Sequence, residues 1–204
     1  MKIDNVISDV EIFGLERSIR KSKYPMSTDV SKCTSEITKR THSLAKAPKG
    51  SGHDNFLKGI IVQFDLTLTV KAWIEAERYH WFDIVSSQST MHRLPKFKIA
   101  NQYINYVDAK IVQRMEELVA IYNQNPTPEN KLILLYSNPA GFRLTAGMTT
   151  SYLQLKTIYS QREFHELPEW RADCEGSICS WIETLPHSEW ITGKSEMHDT
   201  GCNG

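Results

Sequence analysis

Apolar and polar residues alternate most regularly just after Gly59. The positions on one face are Ile60, Val62, Phe64 and Leu66, and those between them are Ile61, Gln63 and Asp65. A period of two is typical of a strand with one buried face. The pattern therefore predicts a β-strand over Ile60–Leu66.

The spacing of apolar residues lengthens to three or four immediately after this strand. The apolar residues concerned are Val70, Trp73 and Ile74. Such spacing predicts a helix that packs through one face and continues to about Trp81. We expect the C-terminal end of this helix to carry Arg78, Tyr79 and His80.

Further helices are predicted in the second half of the chain. The longest covers about residues 102–123, and its apolar positions are Ile104, Val107, Ile111, Met115, Leu118 and Tyr122. A short helix is predicted from Pro128 to Tyr136, and another from Thr149 to Gln161. Residues 177–190 are long enough for one further amphipathic helix. Together, the strand and these helices predict a helix-rich α+β fold.

Composition divides the chain into three parts. Residues 1–52 are mixed and basic, and residues 45–52 are of loop-forming types, so we expect this segment to be partly mobile. Residues 53–191 hold the strand and the helices and form the predicted domain. Residues 192–204 are short, polar and rich in glycine, which predicts a flexible tail.

The charge balance excludes whole classes of partner. The 204 residues include 24 Lys and Arg against 24 Asp and Glu, which gives a net charge of zero. Proteins that bind nucleic acid or anionic membranes normally carry an excess of positive charge, so neither partner is expected. The longest apolar runs fall far short of the roughly 20 residues that span a bilayer, and the N-terminus opens no signal peptide. We expect a soluble, cytoplasmic protein.

Cysteine and histidine spacing gives no sign of a metal centre. The four cysteines are Cys33, Cys174, Cys179 and Cys202, and no two pairs have zinc-finger spacing. The seven histidines include no H-E-x-x-H pair. We therefore predict free thiols and no metal.

Three polar clusters fall at the ends of predicted elements. They are residues 53–55, residues 78–80 together with 86–93, and Arg162 with His165 and Glu169. In the second cluster, seven of the eight side chains from Ser86 to Arg93 can form hydrogen bonds. This density suits recognition of a hydroxyl- or phosphate-bearing ligand, although an exposed serine-rich loop has the same composition.

Other chemistries have weaker support. Ser89, Asp83 and either His80 or His92 would form a hydrolase triad, but no G-x-S-x-G turn presents the serine. Neither G-x-G-x-x-G nor G-x-x-x-x-G-K-[ST] occurs, so the usual backbone cradles for dinucleotides and triphosphates are missing. A nucleotide would have to be held by side chains.

The order of these residues resembles that of the flavin-dependent thymidylate synthases. In that family a histidine precedes a strand, a helix ends in Arg-His-Arg, a serine-rich segment closes the motif, and a late helix carries a substrate-binding arginine. Here His53 precedes the strand, His80 follows the helix, Ser89 stands nine residues after His80, and Arg162 follows the predicted late helix. The likeness covers roughly residues 53–171 and implies that family's fold, which is helix-rich with a small antiparallel sheet.

The resemblance also implies an activity and a set of ligands. It implies reductive methylation of dUMP at C5 with methylenetetrahydrofolate as co-substrate and FAD as cofactor, in a homotetramer. The implied catalytic residues are Arg162 and Ser89. The implied FAD-binding residues are His53, Arg78, Tyr79, His80 and Trp81. The implied substrate-binding residues are Ser86, Ser87, Gln88, Ser89, Arg93 and Arg162.

The chain also departs from the family pattern. Arg-His-Arg is replaced by Tyr79-His80-Trp81, and Ser151 and Leu153 stand where the family has an asparagine and an arginine. Arg78 or Arg93 would have to replace the lost positive charges, or the aromatic rings would have to stack on the flavin. Two alternatives therefore stay open: a divergent, phage-type enzyme that modifies pyrimidine nucleotides without FAD, and a catalytically inactive nucleotide-binding or inhibitor protein on the same fold.

Overall fold

The computed structural model describes residues 1–194. The strands are β1 Ile7–Phe13, β2 Ile61–Thr69, β3 Phe82–Ser87 and β4 Arg143–Ser151. The α-helices are α1 Leu15–Lys21, α2 Lys39–Ala45, α3 Val70–Ala76, α4 Thr90–Arg93, α5 Ala109–Gln124, α6 Pro128–Ser137, α7 Tyr152–Arg162, α8 Ile178–Ile182 and α9 Glu189–Thr192. The 3-10 turns cover Tyr24–Met26, Val30–Lys32, Asn55–Gly59, Leu94–Lys96 and Ile99–Asn101.

The four strands form one small antiparallel sheet in the order β1-β2-β4-β3. This confirms the predicted fold class, a helix-rich α+β protein with a small antiparallel sheet. Strand β2 also confirms the predicted alternation, since Val62, Phe64, Leu66 and Leu68 are all buried. The strand continues three residues beyond the predicted end, to Thr69, whose hydroxyl accepts a hydrogen bond from the Ala72 N–H and caps α3.

Several predicted helix bounds were wrong. Helix α3 ends at Ala76, so Arg78, Tyr79 and His80 lie in the turn after it. Helix α5 begins at Ala109, several residues later than predicted, because the Asp108 carboxylate accepts from the Lys110 N–H and caps the helix there. Residues 149–151, predicted as the start of a helix, are the end of β4.

Helix α6 fits its prediction closely, with Pro128 as its first residue and Thr127 as its cap. The single helix predicted within residues 177–190 is instead two short helices, α8 and α9. Pro186 separates them, and His187 has a positive φ of 55°, a backbone conformation that no helix continues through.

The chain forms two compact units. The first consists of Met1–Gln63 and the chain from Thr149 onward, and the second is Phe64–Met148. The backbone passes from one unit to the other within β2 and within β4. The predicted division at residues 52/53 and 191/192 remains a prediction, although β1, α1 and α2 all belong to the segment before residue 53. Most of the predicted tail, residues 195–204, lies outside the described residues.

Each unit has its own buried apolar residues. One cluster in the second unit is made of Leu94, Ile99, Tyr103, Met115, Leu118, Leu134 and Phe142. Fully buried side chains of the first unit include Leu57, Ile60, Tyr152, Tyr159, Trp170 and Trp190. None of the helices in residues 1–194 is long and apolar enough to cross a membrane.

Candidate functional site

The turn between α3 and β3 presents the histidine of the altered motif. After α3 the Tyr79 N–H donates to the Ala76 carbonyl at 3.1 Å, and β3 starts at Phe82. His80 is exposed, and Trp81 is 62% exposed. The two rings meet edge to face, with centroids 4.7 Å apart. An indole that is this exposed offers a flat apolar surface to a ligand.

Tyr79 has the opposite environment to Trp81. It is only 8% exposed, and its ring contacts Phe82 edge to face at 6.4 Å. Phe82 in turn lies 5.9 Å from Phe64 on β2. The expectation that both aromatic residues offer a surface to a ligand is therefore met only by Trp81, while Tyr79 anchors the turn.

Arg78 is exposed and pairs with Glu75 one helical turn earlier, at 3.2 Å. Exposed pairs of this kind contribute about 0–1 kcal/mol to stability. The guanidinium can therefore leave Glu75 for another anion at little cost.

The serine-rich segment is a strand end followed by a short helix. Ser86 and Ser87 are exposed, as in the alternative of a serine-rich loop, but they belong to β3 rather than to a loop. The Gln88 N–H donates to the Thr145 carbonyl at 2.9 Å, and the Gln88 side-chain oxygen accepts from the Thr145 N–H at 3.0 Å. This pair of bonds fixes Gln88 against β4.

Ser89 and Arg93 lie at the two ends of α4. Ser89 occupies the N-cap position, yet its side chain makes no capping bond. It is half-buried, and its carbonyl accepts from the Arg93 N–H at 3.0 Å. Arg93 is exposed at the last position of the helix. The Ser89 hydroxyl is therefore available to a ligand rather than committed to the helix.

His53 lies in a turn of the first unit that is held by a buried ion pair. His53 itself is exposed, whereas the next residue, Asp54, is 2% exposed. Lys156 on α7 donates to the Asp54 carboxylate at 2.8 Å and to the carbonyls of Ala45 and Ala47 at 2.8 and 2.7 Å. The three N–H groups of the Lys156 ammonium all donate hydrogen bonds. These bonds hold the backbone next to His53 in place.

Sequence reasoning missed the role of Lys156. The available signal was a lysine adjacent to Leu155 in an otherwise apolar helical stripe, together with an acid directly after the candidate histidine. A lysine that is largely buried requires an anionic or carbonyl partner, and the acid next to His53, Asp54, is such a partner.

Arg162 is the last residue of α7 and is 7% exposed. Its guanidinium lies 5.2 Å from the ring centroid of Trp170, which is fully buried. This is cation–π geometry, and it orients the guanidinium plane. The neighbouring His165 accepts a hydrogen bond from the Leu167 N–H at 3.1 Å, and Glu169 is buried.

Ser151 explains one departure from the family pattern. It is the N-cap residue of α7, and its hydroxyl accepts from the Gln154 N–H at 3.3 Å. Serine at this position therefore starts the helix that ends at Arg162.

The predicted site residues fall into two groups. Residues 78–81 and 86–93 belong to the second unit, whereas His53 and Arg162 belong to the first. Within residues 1–194, no three His, Cys, Asp or Glu side chains converge as metal ligands. Cysteine chemistry is also disfavoured at two positions of the first unit, because burial raises the pKa of Cys179 to about 12 and also raises that of Cys174.

Comparisons with known proteins show the fold. No protein-family model matches the chain. No curated protein matches it either. Two solved structures of the flavin-dependent thymidylate synthase ThyX from Helicobacter pylori, both complexed with FAD and dUMP, are similar to it. Their TM-scores are 0.63 and 0.65 at 15% and 13% sequence identity. Each comparison covers 91% of this chain and 97% of the other.

Proposed function

We propose that this protein is an enzyme of the flavin-dependent thymidylate synthase type that binds FAD and methylates dUMP at C5, using methylenetetrahydrofolate. The observation that carries the proposal is the likeness of fold over 91% of the chain to ThyX structures that hold FAD and dUMP. The order of His53, His80, Ser89 and Arg162 along the chain supports it independently.

The exposed turn after α3 has the features that FAD requires. The isoalloxazine ring is flat with apolar faces, and the Trp81 indole is exposed enough to stack on it beside His80. The diphosphate is anionic, and Arg78 and Arg93 are exposed cations of the same unit. We assign FAD binding to these residues, and Tyr79 supports the turn through its ring contact with Phe82. The resemblance implies a role in flavin binding for His53 as well.

The segment from Ser86 to Arg93 would bind the nucleotide phosphate. Ser86, Ser87 and Ser89 supply hydroxyl donors, and Arg93 supplies a charge. Gln88 keeps the segment in place through its two bonds to Thr145. A phosphate site needs donors of this kind in fixed directions.

Arg162 would act on the uracil ring. A guanidinium held against Trp170 can stabilise the negative charge that develops on the ring as C5 becomes nucleophilic. Because its orientation is fixed in advance, little reorganisation is needed during the reaction. Bound FAD would supply the hydride and carry the methylene group to the substrate.

The experiment that tests this function is formation of dTMP. The purified protein is incubated with FAD, methylenetetrahydrofolate, dUMP and NADPH as reductant, and dTMP is measured by chromatography. We expect dTMP, and we expect Ser89→Ala to lower the rate by about tenfold or more, because a hydrogen bond to a charged group is lost. The matched control is Ser137→Ala, an exposed serine at the end of α6.

Absence of dTMP with the unmodified chain would contradict the proposed reaction. Binding of dUMP without FAD would then favour the divergent pyrimidine-modifying enzyme. Binding of dUMP together with FAD but without turnover would favour the inactive nucleotide-binding protein.

A further inference from the structure

A cavity of about 180 Å³ lies in the first unit, and none of the residues assigned above to FAD or dUMP lines it. Its wall is made by the C-terminal end of α2 and the chain after it, by α7, and by α9. The side chains that matter are Lys46, Lys49, Lys156, Glu163, Tyr159 and Trp190. The wall therefore combines charged residues with two aromatic rings.

The charge of the wall is predominantly positive, with three lysines and one acid. Lys156 is already neutralised by Asp54. Lys49 donates to two uncharged acceptors on α7, the Thr157 carbonyl at 3.4 Å and the Ser160 hydroxyl. Within residues 1–194 neither Lys46 nor Lys49 forms an ion pair. Two positive charges thus border the cavity without a carboxylate partner.

Lys49 is an exposed residue, but its ammonium group is partly buried against α7. Burial of its ammonium group is the main cause that lowers the pKa of Lys49, the charge of Lys156 lowers it further, and Asp54 opposes the shift. An anion in the cavity would offset both unfavourable effects. The site therefore stands to gain from an anionic ligand.

We propose that this cavity binds the phosphate group of a small molecule through Lys46 and Lys49. Phosphate is favoured over carboxylate because the lining contains lysines and no arginine. Lysine binds phosphate as a compact point charge, whereas planar carboxylates are matched best by the arginine fork.

Titration calorimetry with inorganic pyrophosphate at constant ionic strength tests the proposal. We expect saturable binding by the full chain. Lys46→Gln should weaken it by about tenfold, because one charge-assisted contact is lost. Lys49→Met should weaken it at least as much. Glu163→Gln should strengthen binding, because it removes the one negative charge of the wall.

Lys39→Gln is the matched control, since Lys39 is an exposed lysine at the other end of α2 and is not part of the wall. It should leave the affinity unchanged. Lys46 makes no hydrogen bond through its side chain to residues 1–194, so its variant tests the ligand contact without loosening the structure. The proposal is overturned if pyrophosphate does not bind at millimolar concentration, or if Lys46→Gln binds it like the unmodified chain, which would place binding at the phosphate site proposed for the nucleotide. It is also overturned if the control weakens binding as much as Lys46→Gln, or if succinate binds and pyrophosphate does not.

Discussion

Trp81 and Tyr79 flank the same histidine, but only the first is accessible to a ligand. A substitution at Trp81 therefore changes the surface, whereas one at Tyr79 changes the packing around Phe82. The two positions consequently have different predicted effects on flavin binding, although the family motif treats them as equivalent.

Trp81→Arg should tighten binding of FAD, because it restores a cation beside His80 at an exposed position. Tyr79→Arg should instead destabilise the protein by about 2 kcal/mol or more, since it places a charge where an aromatic ring is buried. Fluorescence titration with FAD and thermal unfolding measure the two effects. Unchanged or weaker affinity in Trp81→Arg would remove this turn from the flavin site.

Arg162→Ala should weaken dUMP binding by about 2–5 kcal/mol, the usual cost of truncating one partner of a desolvated charged contact. The matched control is Arg20→Ala, at an exposed position near the end of α1. Arg143 would be a poor control because it is half-buried in β4 and its guanidinium donates to the Asn101 carbonyl.

Calorimetry with dUMP compares these variants, and thermal unfolding shows whether each remains folded. Arg162→Lys serves where the alanine variant does not fold, since it keeps the charge and loses the planar fork. If Arg162→Lys and Arg20→Ala both bind dUMP like the unmodified chain, Arg162 does not contact the nucleotide.

At the scale of secondary structure, the accuracy of each prediction depends on the burial pattern of the element. Strand β2 alternates because one of its faces is buried, and the sequence shows this directly. Strand β3 is exposed at every position after Phe82, so burial leaves no periodic pattern to detect. Helix α6 was predicted closely because Thr127 and Pro128 mark its start chemically.

The candidate site could be predicted only as a set of residues along the chain. Chain order and residue type offered His80, Ser89 and Arg162 as candidates, and they remain predictions. They could not show that Tyr79 is buried, that Gln88 is fixed by Thr145, or that Lys156 holds the turn of His53. Those facts depend on contacts between residues far apart in sequence.

The Lys156–Asp54 ion pair joins α7 to the turn that carries His53. Lys156→Met should lower the free energy of unfolding by about 3–5 kcal/mol, because it leaves the buried Asp54 carboxylate without its partner. Urea denaturation measures this loss. Lys2→Met, which breaks the exposed pair with Glu175, is the control and should change stability little. Similar losses in both variants would mean that burial of the pair has no special role.

At the scale of the whole molecule, we propose a homotetramer. The resemblance implies active sites built from several subunits. In the second unit, α5 and α6 expose the apolar residues Ile111, Ile121, Leu132, Ile133 and Tyr136. Exposed apolar residues on two helices that pack together favour a surface covered by another chain. Light scattering at micromolar concentration should give four times the mass of 23.4 kDa, and a monomeric mass would contradict the assembly.

The measurement that tests the central claim most directly is a titration of dUMP into the full chain with FAD present. The proposed function predicts a yellow protein whose flavin absorbance spectrum shifts saturably as dUMP binds, because the reaction brings the flavin and the nucleotide together. A colourless protein that retains no FAD at high micromolar concentration, and that releases no heat with dUMP, would contradict it.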